Sequence, residues 1–352
     1  MTSEAVELLK RLIATPSLSR QEDATASILQ QWLEEKGVNA HRFHNNVWAV
    51  CADYDASRPT LLLNSHHDTV RPAAGYTRNP FEPSVEGDCL YGLGSNDAGA
   101  SLVSLASVFC KLYRAPLPFN LILVLTAEEE VTGENGMRAM LPELERCGIA
   151  VDMGIVGEPT SMQPAVAERG LVVLDCTARG KSGHAARGEG INALYKAIDD
   201  INALRSLKFD RQSPVLGPIS VTTTMIQAGK QHNVVPDECT FTVDVRTTDA
   251  YTNEETVEII RAAIGSEATP RSTRLRASVI DTSHPLVQAC TSLGLKPFVS
   301  PTMSDMAVMN TFPTLKIGPG ESSRSHTADE FIKISEIDRG IAAYLEIIHR
   351  LT

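Results

Sequence analysis

Four short apolar runs constrain the fold of this chain more than any other feature, because each of them is continuous rather than alternating. They lie at 61–63, 121–125, 155–156 and 314–317. A strand that is apolar on both faces is typical of a parallel sheet covered by helices on both sides. Helical patterns lie between the runs, notably at 98–114 and 136–147. We therefore predict an α/β fold with a largely parallel sheet and helices on both of its faces.

The N-terminal residues carry a helical pattern. Apolar residues recur at helical spacing in residues 4–14, which predicts a first helix. Ser19 and Glu22 stand in the Ser-x-x-Glu order of a capping box, in which each side chain accepts a backbone amide proton of the other residue. This pair predicts the start of a second helix.

The pattern changes from about Gly170, where strands and helices follow the β-α-β-β-α-β order of a ferredoxin-like unit. In its third strand Phe241 and Val243 belong to one apolar face, as in an antiparallel sheet that is wet on its other side. We predict a large domain of residues 1–169 and 282–352, with a small α+β domain of residues 170–281 inserted into it. The predicted elements of the small domain are strand 171–178, helix 190–206, strands 219–227 and 239–246, helix 254–265 and strand 274–280.

Composition excludes several classes of partner and compartment. The chain has 352 residues and a net charge of −11 with no basic run, so no electrostatic feature favours nucleic acid or an anionic membrane. The N-terminus is acidic, and no apolar stretch approaches the roughly 20 residues that span a bilayer. Its seven cysteines are scattered and never form a C-x-x-C pair, which argues against a disulfide framework and a thiolate zinc site. We predict a cytoplasmic protein.

Histidines and carboxylates follow all four apolar runs. Each has an ordinary explanation when taken alone: a surface pair, a solvated glutamate turn, or, for Asp97, an N-cap of the next helix. Ligand sites in open α/β sheets lie at the carboxyl ends of strands, so these residues are expected to meet at one edge. They are His66 and Asp68 after the first run, Glu128–Glu130 after the second, Glu158 after the third, and His326 in the loop after the last.

Imidazoles and carboxylates without a thiolate predict a pair of borderline-soft divalent ions, which are zinc, or cobalt or manganese as substitutes. Each ion would need a histidine, a terminal glutamate and a shared carboxylate. Asp68 lies two residues from His66 on an extended chain, where it is expected to orient the imidazole rather than bind metal.

These motifs are specific enough to indicate a family. Nearly from end to end, the sequence resembles the co-catalytic zinc amidohydrolases that include acetylornithine deacetylase, succinyl-diaminopimelate desuccinylase, carboxypeptidase G and aminoacylase. The resemblance is carried by Ser65-His66-x-Asp68, Gly92-x-Gly94-x-x-Asp97, Thr126-Ala127-Glu128-Glu129-Glu130, Val156-Gly157-Glu158-Pro159-Thr160, Gly183-His184, Asn233-Val234-Val235-Pro236, Asp244-x-Arg246, and His326 with Glu330.

The resemblance implies an aminopeptidase-like catalytic domain, an inserted domain that acts as lid and dimerisation surface, and two zinc ions per subunit. The family more often has Asp-Glu-Glu where this chain has Glu128–Glu130, and Thr126-Ala127 fixes the phase that makes the second glutamate the general base. The implied roles are His66 and Glu158 on one ion, Glu130 and His326 on the other, Asp97 as the bridge, Glu129 as base, and His184 as an oxyanion donor from the partner of a homodimer. Asp68 supports the His66 imidazole.

The resemblance implies a small N-acylated amino acid as substrate. The segment 157–161 and the chain length resemble the acetylornithine deacetylase branch of arginine biosynthesis most. N-Succinylornithine and succinyl-diaminopimelate desuccinylases, N-acetylcitrulline deacetylase and a dipeptidase or aminoacylase remain alternatives. Candidate substrate contacts are Arg246 and Arg169 for a carboxylate and Asn233 from the partner chain, although each arginine is equally plausible as an ordinary ion-pair residue.

Three other functions have less support in the sequence. Gly180-Lys181-Ser182 has the ending of a phosphate-binding P-loop, but Asp175 replaces the glycine that the motif requires five residues earlier. No G-x-S-x-G elbow supports a serine hydrolase. A metal-binding scaffold without catalysis is disfavoured because the sequence supplies both a base and a ligand at Glu129 and Glu130.

Overall fold

The structure is a computed structural model that describes residues 1–351. Within this range the chain forms eight α-helices and eighteen strands. The helices are α1 (Thr2–Ile13), α2 (Asp23–Glu35), α3 (Ala100–Leu112), α4 (Met137–Arg146), α5 (Ala193–Ser206), α6 (Asn253–Ala263), α7 (Pro285–Ser292) and α8 (Ile334–His349). The strands are β1 (His41–Phe43), β2 (Asn46–Val50), β3 (Thr60–His66), β4 (Ser84–Glu86), β5 (Cys89–Tyr91), β6 (Asn120–Thr126), β7 (Met153–Val156), β8 (Ala165–Glu168), β9 (Gly170–Arg179), β10 (Gly183–His184), β11 (Ser220–Ala228), β12 (Val234–Val235), β13 (Glu238–Thr247), β14 (Glu267–Pro270), β15 (Ser278–Val279), β16 (Phe298–Ser300), β17 (Thr314–Lys316) and β18 (Phe331–Lys333).

The chain divides into two compact units. The first comprises residues 1–166, 280–298 and 304–352, and the second comprises residues 167–279 and 299–303. The main sheet has the strand order β1-β2-β6-β3-β7-β17-β8-β15, and β16 pairs with β8. Its central pairs, β6 with β3, β3 with β7 and β7 with β17, are parallel, and the pairs towards both ends are antiparallel. The predicted mixed, mostly parallel α/β sheet is therefore confirmed.

The continuous apolar runs are buried on both faces of the main sheet, as predicted. Leu61 and Leu63 point into the core formed with α1, α2, α3 and α8. Leu62, one residue out of phase, points into a second core in which Met137 and Met140 of α4 pack. Because successive side chains of a strand point to opposite faces, one run feeds two cores.

The second helix does not use the predicted capping box. It begins at Asp23, with no side-chain hydrogen bond at its N-cap residue Glu22. The Ser19 hydroxyl instead donates to the Asp68 carboxylate at 2.7 Å, and the Glu22 carboxylate accepts the backbone N–H of Glu128 at 3.2 Å. Tertiary partners that are distant in sequence have displaced the local capping pattern.

The second unit contains an antiparallel four-stranded sheet in the order β11-β13-β9-β14, against which α5 and α6 pack. The apolar face predicted for β13 is confirmed, because Phe241 and Val243 are buried in the core of this unit.

The predicted last strand of this unit, 274–280, was wrong. The fourth strand is β14, which follows α6 after a short connection and pairs with β9. The Asn253 side chain donates to the carbonyl oxygens of Thr273 and Leu275 at 2.9 and 2.8 Å. The Leu275 carbonyl also accepts the Leu171 N–H of β9 at 2.9 Å, which makes an isolated bridge rather than a strand. Residues 278–279 form β15, which pairs with β8.

Candidate active site

Three adjacent parallel strands deliver the first residues of the site. β6, β3 and β7 run side by side and end at Thr126, His66 and Val156. The residues that follow parallel strands meet at one edge of the sheet. His66 therefore lies beside the glutamates that follow β6 and beside Glu158, which follows β7.

Asp97 lies between the two histidines. Its Oδ1 is 3.3 Å from His66 Nε2, and its Oδ2 is 3.6 Å from His326 Nε2. Glu158 Oε1 lies 3.8 Å from His66 Nε2, whereas Glu130 Oε2 lies 3.1 Å from His326 Nε2. The two oxygens of one carboxylate thus face two separate imidazole–carboxylate pairs.

The tautomer of His66 leaves a lone pair for the site. Its Nδ1 lies 3.0 Å from the backbone carbonyl oxygen of Asp68, which can only accept a hydrogen bond. In the neutral form that binds metal, imidazole carries one proton, so Nε2, which faces Asp97, is then unprotonated. This is the atom that a metal ion would bind.

Asp68 contacts both His66 and the glutamate turn. Its buried carboxylate lies 3.4 Å from His66 Nδ1. The same carboxylate accepts the backbone N–H groups of Glu129 at 3.0 Å and Glu130 at 3.2 Å. One side chain therefore fixes both the histidine and the glutamate turn.

The three consecutive glutamates have different surroundings. The Glu128 side chain turns away and accepts hydrogen bonds from Asn135, and its backbone is left-handed with φ 57°. Glu129 Oε2 lies 4.0 Å from His66 Nε2. Glu130 faces His326. Glu128 is thus a structural residue of the turn, and the next two residues face the site.

The loop that carries Asp97 is held by Glu330. The buried Glu330 carboxylate accepts the backbone N–H groups of Gly94, Asn96 and Asp97 at 3.0, 2.8 and 2.9 Å. Asp97 does not cap the following helix, because α3 begins at Ala100 with no side-chain cap. From the sequence, Glu330 was part of the family resemblance beside His326, and no role was predicted for it.

Asn96 connects this loop to the segment that carries His326. Its side-chain nitrogen donates to the carbonyl oxygen of Glu321 at 3.0 Å, and its oxygen accepts the N–H of the same residue at 3.0 Å. The Asn96 nitrogen also lies 3.3 Å from the Ser325 hydroxyl. Asp97 and His326 are therefore held in place by adjoining residues that bind each other.

Asp305 is a site neighbour that the sequence analysis missed. Its buried carboxylate accepts the Thr126 hydroxyl at 2.8 Å, and burial raises its pKa to about 6. It lies in an apolar stretch between two strands, and only its isolation there as a charged residue could have drawn attention to it.

The cluster of carboxylates and imidazoles favours the binding of positive charge, either protons or metal ions. Burial raises the pKa of Glu129 well above its usual range and that of Glu158 to about 8. The hydrogen bond between His326 and Glu130 raises the pKa of His326 to about 9. Burial disfavours the charged form of His66, but the carboxylates of Asp68 and Asp97 outweigh it and raise its pKa well above the usual value.

The donor set fits divalent metal ions. Ligand atoms of His66, Asp97 and Glu130 lie within 4.8 Å of one another, as do those of His66, Glu129 and Glu158. Raised pKa values in both the carboxylates and the imidazoles indicate an excess of negative charge, which a dication at this position would balance in place of protons. The donor set consists of imidazoles and carboxylates without a cysteine thiolate, which matches the ligands of catalytic zinc or its substitutes.

The second unit brings two of the remaining predicted residues together. β10 and β12 pair through His184 and Val234, and Ala185 N–H donates to the carbonyl oxygen of Asn233 at 3.0 Å. His184 is exposed, and its Nδ1 accepts the N–H of Ala186 at 3.2 Å. Its Nε2 therefore carries the proton and is a free hydrogen-bond donor.

The two arginines predicted to contact substrate have partners within the second unit. Arg246 forms a two-point ion pair with Asp244, its Nε lying 2.8 Å from Oδ1. It lies eight residues from Glu238 at the other end of β13, so about 26 Å of extended strand separates the two residues. Glu238 follows β12, which pairs with the strand of His184. Arg169 donates to the carbonyl oxygens of Leu216 and Pro218 at 2.5 and 2.8 Å.

The fold is an aminopeptidase-like α/β sheet, and its site carries a candidate metal-binding cluster. The chain belongs to peptidase family M20/M25/M40, whose model matches residues 62–350. It is accordingly a hydrolase that acts on amide bonds.

Two relatives span nearly the whole chain. A succinyl-diaminopimelate desuccinylase from Erythrobacter litoralis is 25% identical and covers 96% of each chain. An acetylornithine deacetylase from Shigella sonnei is 27% identical and covers 98% of this chain and 97% of that protein. The two relatives release different acyl groups according to their names.

Solved structures share the fold. Aminopeptidase PepT from Bacillus cereus superposes with a TM-score of 0.79 at 19% identity, over 100% of this chain and 99% of the other. The YXEP protein of Bacillus subtilis, described as a dinuclear metal binding peptidase, superposes with a TM-score of 0.73 at 19% identity, over 99% and 97% of the two chains. Among residues 1–351, none of the helices is long and apolar enough to cross a membrane.

Proposed function

We propose that this chain removes an N-acyl group from an amino acid with two divalent ions, zinc in the first place and cobalt or manganese as substitutes. His66 and Glu158 hold one ion, and Glu130 and His326 hold the other. Asp97 is shared between them. The observation that supports this most is the position of the two Asp97 oxygens, one facing each histidine.

Glu129 is the proposed general base. Bound divalent ions supply Lewis acidity and lower the pKa of water from 15.7 towards ~7. The Glu129 carboxylate, with its backbone fixed by Asp68, takes a proton as water attacks the amide carbon and later gives it to the leaving amine. Burial favours the proton-bearing form of Glu129, which suits a group that must carry a proton between these two steps.

The proposed substrate is N-acetyl-L-ornithine, in arginine biosynthesis. The alternatives are N-succinylornithine, succinyl-diaminopimelate, N-acetylcitrulline, or a dipeptide or other acylamino acid. Relatives named as a deacetylase and as a desuccinylase match at similar identity, which supports the reaction class.

The substrate is tested by amine release. Purified, zinc-loaded protein is supplied with the N-acetyl and N-succinyl forms of ornithine, citrulline and diaminopimelate. We expect N-acetylornithine to give the highest kcat/KM. A preference of tenfold or more for a succinyl substrate contradicts the acetyl assignment, and no amine release from any of the six contradicts the proposed deacylase.

We propose that His184 donates a hydrogen bond to the developing oxyanion of the partner subunit in a homodimer. Its exposed Nε2–H is free to do so. The edge strand β11 of the second unit's sheet exposes Met225 and Ile226, which supports a surface for a second copy. No nucleic acid or membrane partner is proposed.

Subunit complementation tests the proposed action across a dimer. His184→Ala and Glu129→Gln chains, each inactive alone, are mixed and allowed to exchange subunits. Mixed dimers are expected to regain about a quarter to a half of the activity per chain, since one of their two sites is intact. No recovery in dimers shown to be mixed would indicate that His184 acts within its own chain.

We also propose Arg246, Arg169 and Asn233 as substrate contacts. Arg246 and Arg169 are cations for the substrate carboxylate or a succinyl group, and Asn233 lies next to the paired strands β10 and β12 that carry His184. The compartment proposed is the cytoplasm, which the seven free cysteines support.

A further inference from the structure

The turn that carries Glu129 and Glu130 is held by an unusual row of hydrogen bonds. Four consecutive backbone N–H groups each donate to a side-chain oxygen. Ala127 donates to Asn46 Oδ1 at 3.0 Å, Glu128 to Glu22 Oε1 at 3.2 Å, Glu129 to Asp68 Oδ1 at 3.0 Å and Glu130 to Asp68 Oδ2 at 3.2 Å. The turn is therefore fixed by side chains from outside it.

Glu22 is fully buried, with 0% of its surface exposed. Its carboxylate also accepts the N–H of Arg20 at 2.5 Å and the side-chain N–H of Asn45 at 3.1 Å. A buried carboxylate is costly unless its oxygens are hydrogen-bonded, and these donors, together with Glu128 N–H, meet that need. Glu22 thus joins the N-terminal segment to the glutamate turn.

Ser19 acts on the same turn through another residue. Its hydroxyl donates to Asp68 Oδ2, the oxygen that also accepts the Glu130 N–H. A third hydrogen bond to this carboxylate restricts its rotation. Ser19 and Glu22 are the pair whose spacing predicted a helix cap, yet both side chains are directed at the turn and α2 begins without a side-chain cap.

We propose that Ser19 and Glu22 are positioning residues for hydrolysis, which hold the backbone that places Glu129 and Glu130. Both lie in the N-terminal segment before residue 62, where the match to the family model begins. A helix without a side-chain cap lacks the stabilisation that capping provides. The Ser19 and Glu22 side chains therefore bind the glutamate turn instead of capping α2. This inference rests on the proposed roles of Glu129 and Glu130.

Three variants and a control test it in the full-length, zinc-loaded protein. Glu22→Leu removes every acceptor, Glu22→Gln keeps one oxygen for the Glu128 N–H, and Ser19→Ala removes only the bond to Asp68. Glu143→Leu is the matched control, because Glu143 is also a buried glutamate, pairs with Arg146 on α4 and does not contact the turn.

Three quantities are measured for each variant: amide hydrogen exchange of a peptide containing residues 127–130, zinc affinity by competition with a chromophoric chelator, and kcat and KM on the best substrate of the panel above. For Glu22→Leu we expect roughly tenfold faster exchange in this peptide and a 10–100-fold loss in zinc affinity or kcat, with KM changed less than about threefold. Ser19→Ala is expected to lose several-fold and Glu22→Gln less than Glu22→Leu.

The results separate this inference from the proposed function. Unchanged exchange, zinc affinity and kcat in Glu22→Leu overturn it, as does an equal loss in Glu143→Leu. If Glu22→Leu does not fold, Ser19→Ala decides, and wild-type behaviour of that variant counts against the inference. The exchange and zinc measurements need no substrate, so faster exchange combined with an active Glu129→Gln would refute the proposed base and leave the positioning role intact.

Discussion

Carboxylates in this site act in pairs, one facing the cluster and one holding its backbone. Glu330 holds the loop of Asp97, and Asp68 holds the turn of Glu129 and Glu130. The supporting carboxylates make hydrogen bonds to backbone N–H groups, which fixes the chain without neutralising the facing carboxylates. The remaining negative charge is what a metal ion would balance.

Glu330→Leu is expected to weaken metal binding. Without its carboxylate, the N–H groups of Gly94, Asn96 and Asp97 lose their acceptor, and Asp97 is no longer held between His66 and His326. A loss of 10–100-fold in zinc affinity is the usual size of such an effect. Calorimetric titration of zinc into the metal-free protein measures it, and an unchanged affinity would show that the loop is held by other contacts.

Gly133→Ala is expected to destabilise the fold by about 1–3 kcal/mol, the usual cost of overpacking. A Cβ at Gly133 would lie within 2.5 Å of Glu128 Cβ, and nearer still to the Glu128 carboxylate. Urea denaturation of the metal-free protein measures the change. The matched control is Gly265→Ala, whose Cβ would meet only Asp200 Oδ1 at 3.7 Å. Equal stability of the two variants would contradict the close packing at Gly133.

Among the elements, those defined by their own apolar pattern were predicted, and those defined by distant partners were not. The strands that became β3, β6, β7 and β17 followed from continuous apolar runs, because burial on both faces leaves that pattern in the sequence. The helix cap at Ser19 and the strand at 274–280 failed for one reason. Ser19 donates to Asp68, and β14 rather than 274–280 forms the fourth strand beside β9, and neither partner is visible from local sequence.

The N-terminus of α8 is expected to show pH-dependent stability. Burial disfavours charge on Glu336, but hydrogen bonds from Arg324 and from the Lys333 N–H outweigh it and hold its pKa below the ordinary value of 4.5. A lowered folded pKa stabilises the fold above pH 4.5, and this contribution is lost as the pH falls through the folded pKa.

Glu336→Gln is therefore expected to be less stable than wild type by about 1–3 kcal/mol at pH 7, the range for hydrogen bonds to charged groups. The difference should shrink below pH 4.5. Urea denaturation of both proteins at pH 7, 5 and 4 measures it. A difference that is constant over this range would mean that the charge of Glu336 contributes nothing.

At the scale of the whole molecule, metal should stabilise one unit only. His66, Asp97, Glu130, Glu158 and His326 all belong to the first unit. A ligand that binds the folded state adds about 2.7 kcal/mol at a hundredfold excess over its Kd. Calorimetry with zinc and with chelator is expected to show one transition that moves by several degrees and one that does not. A shift of both transitions would contradict this separation.

The sequence indicated more about the residues of the site than about the substrate. The histidines and carboxylates named from strand ends lie together in the first unit, since parallel strands bring sequence-distant ends to one edge. Arg246 and Arg169 already bind Asp244 and backbone carbonyls, which no spacing in the sequence reveals. Acyl-group preference depends on such side-chain positions, and these are set by tertiary contacts.

The most direct test of the account is the turnover of a metal-replete Glu129→Gln variant. Metal content is measured by mass spectrometry and amine release by assay on the same preparation. We predict two ions per chain, as in the wild type, and a loss in kcat of at least about 100-fold, the size of a general-base contribution. Near-normal turnover with both ions bound would contradict the central claim that Glu129 moves the proton in this hydrolase.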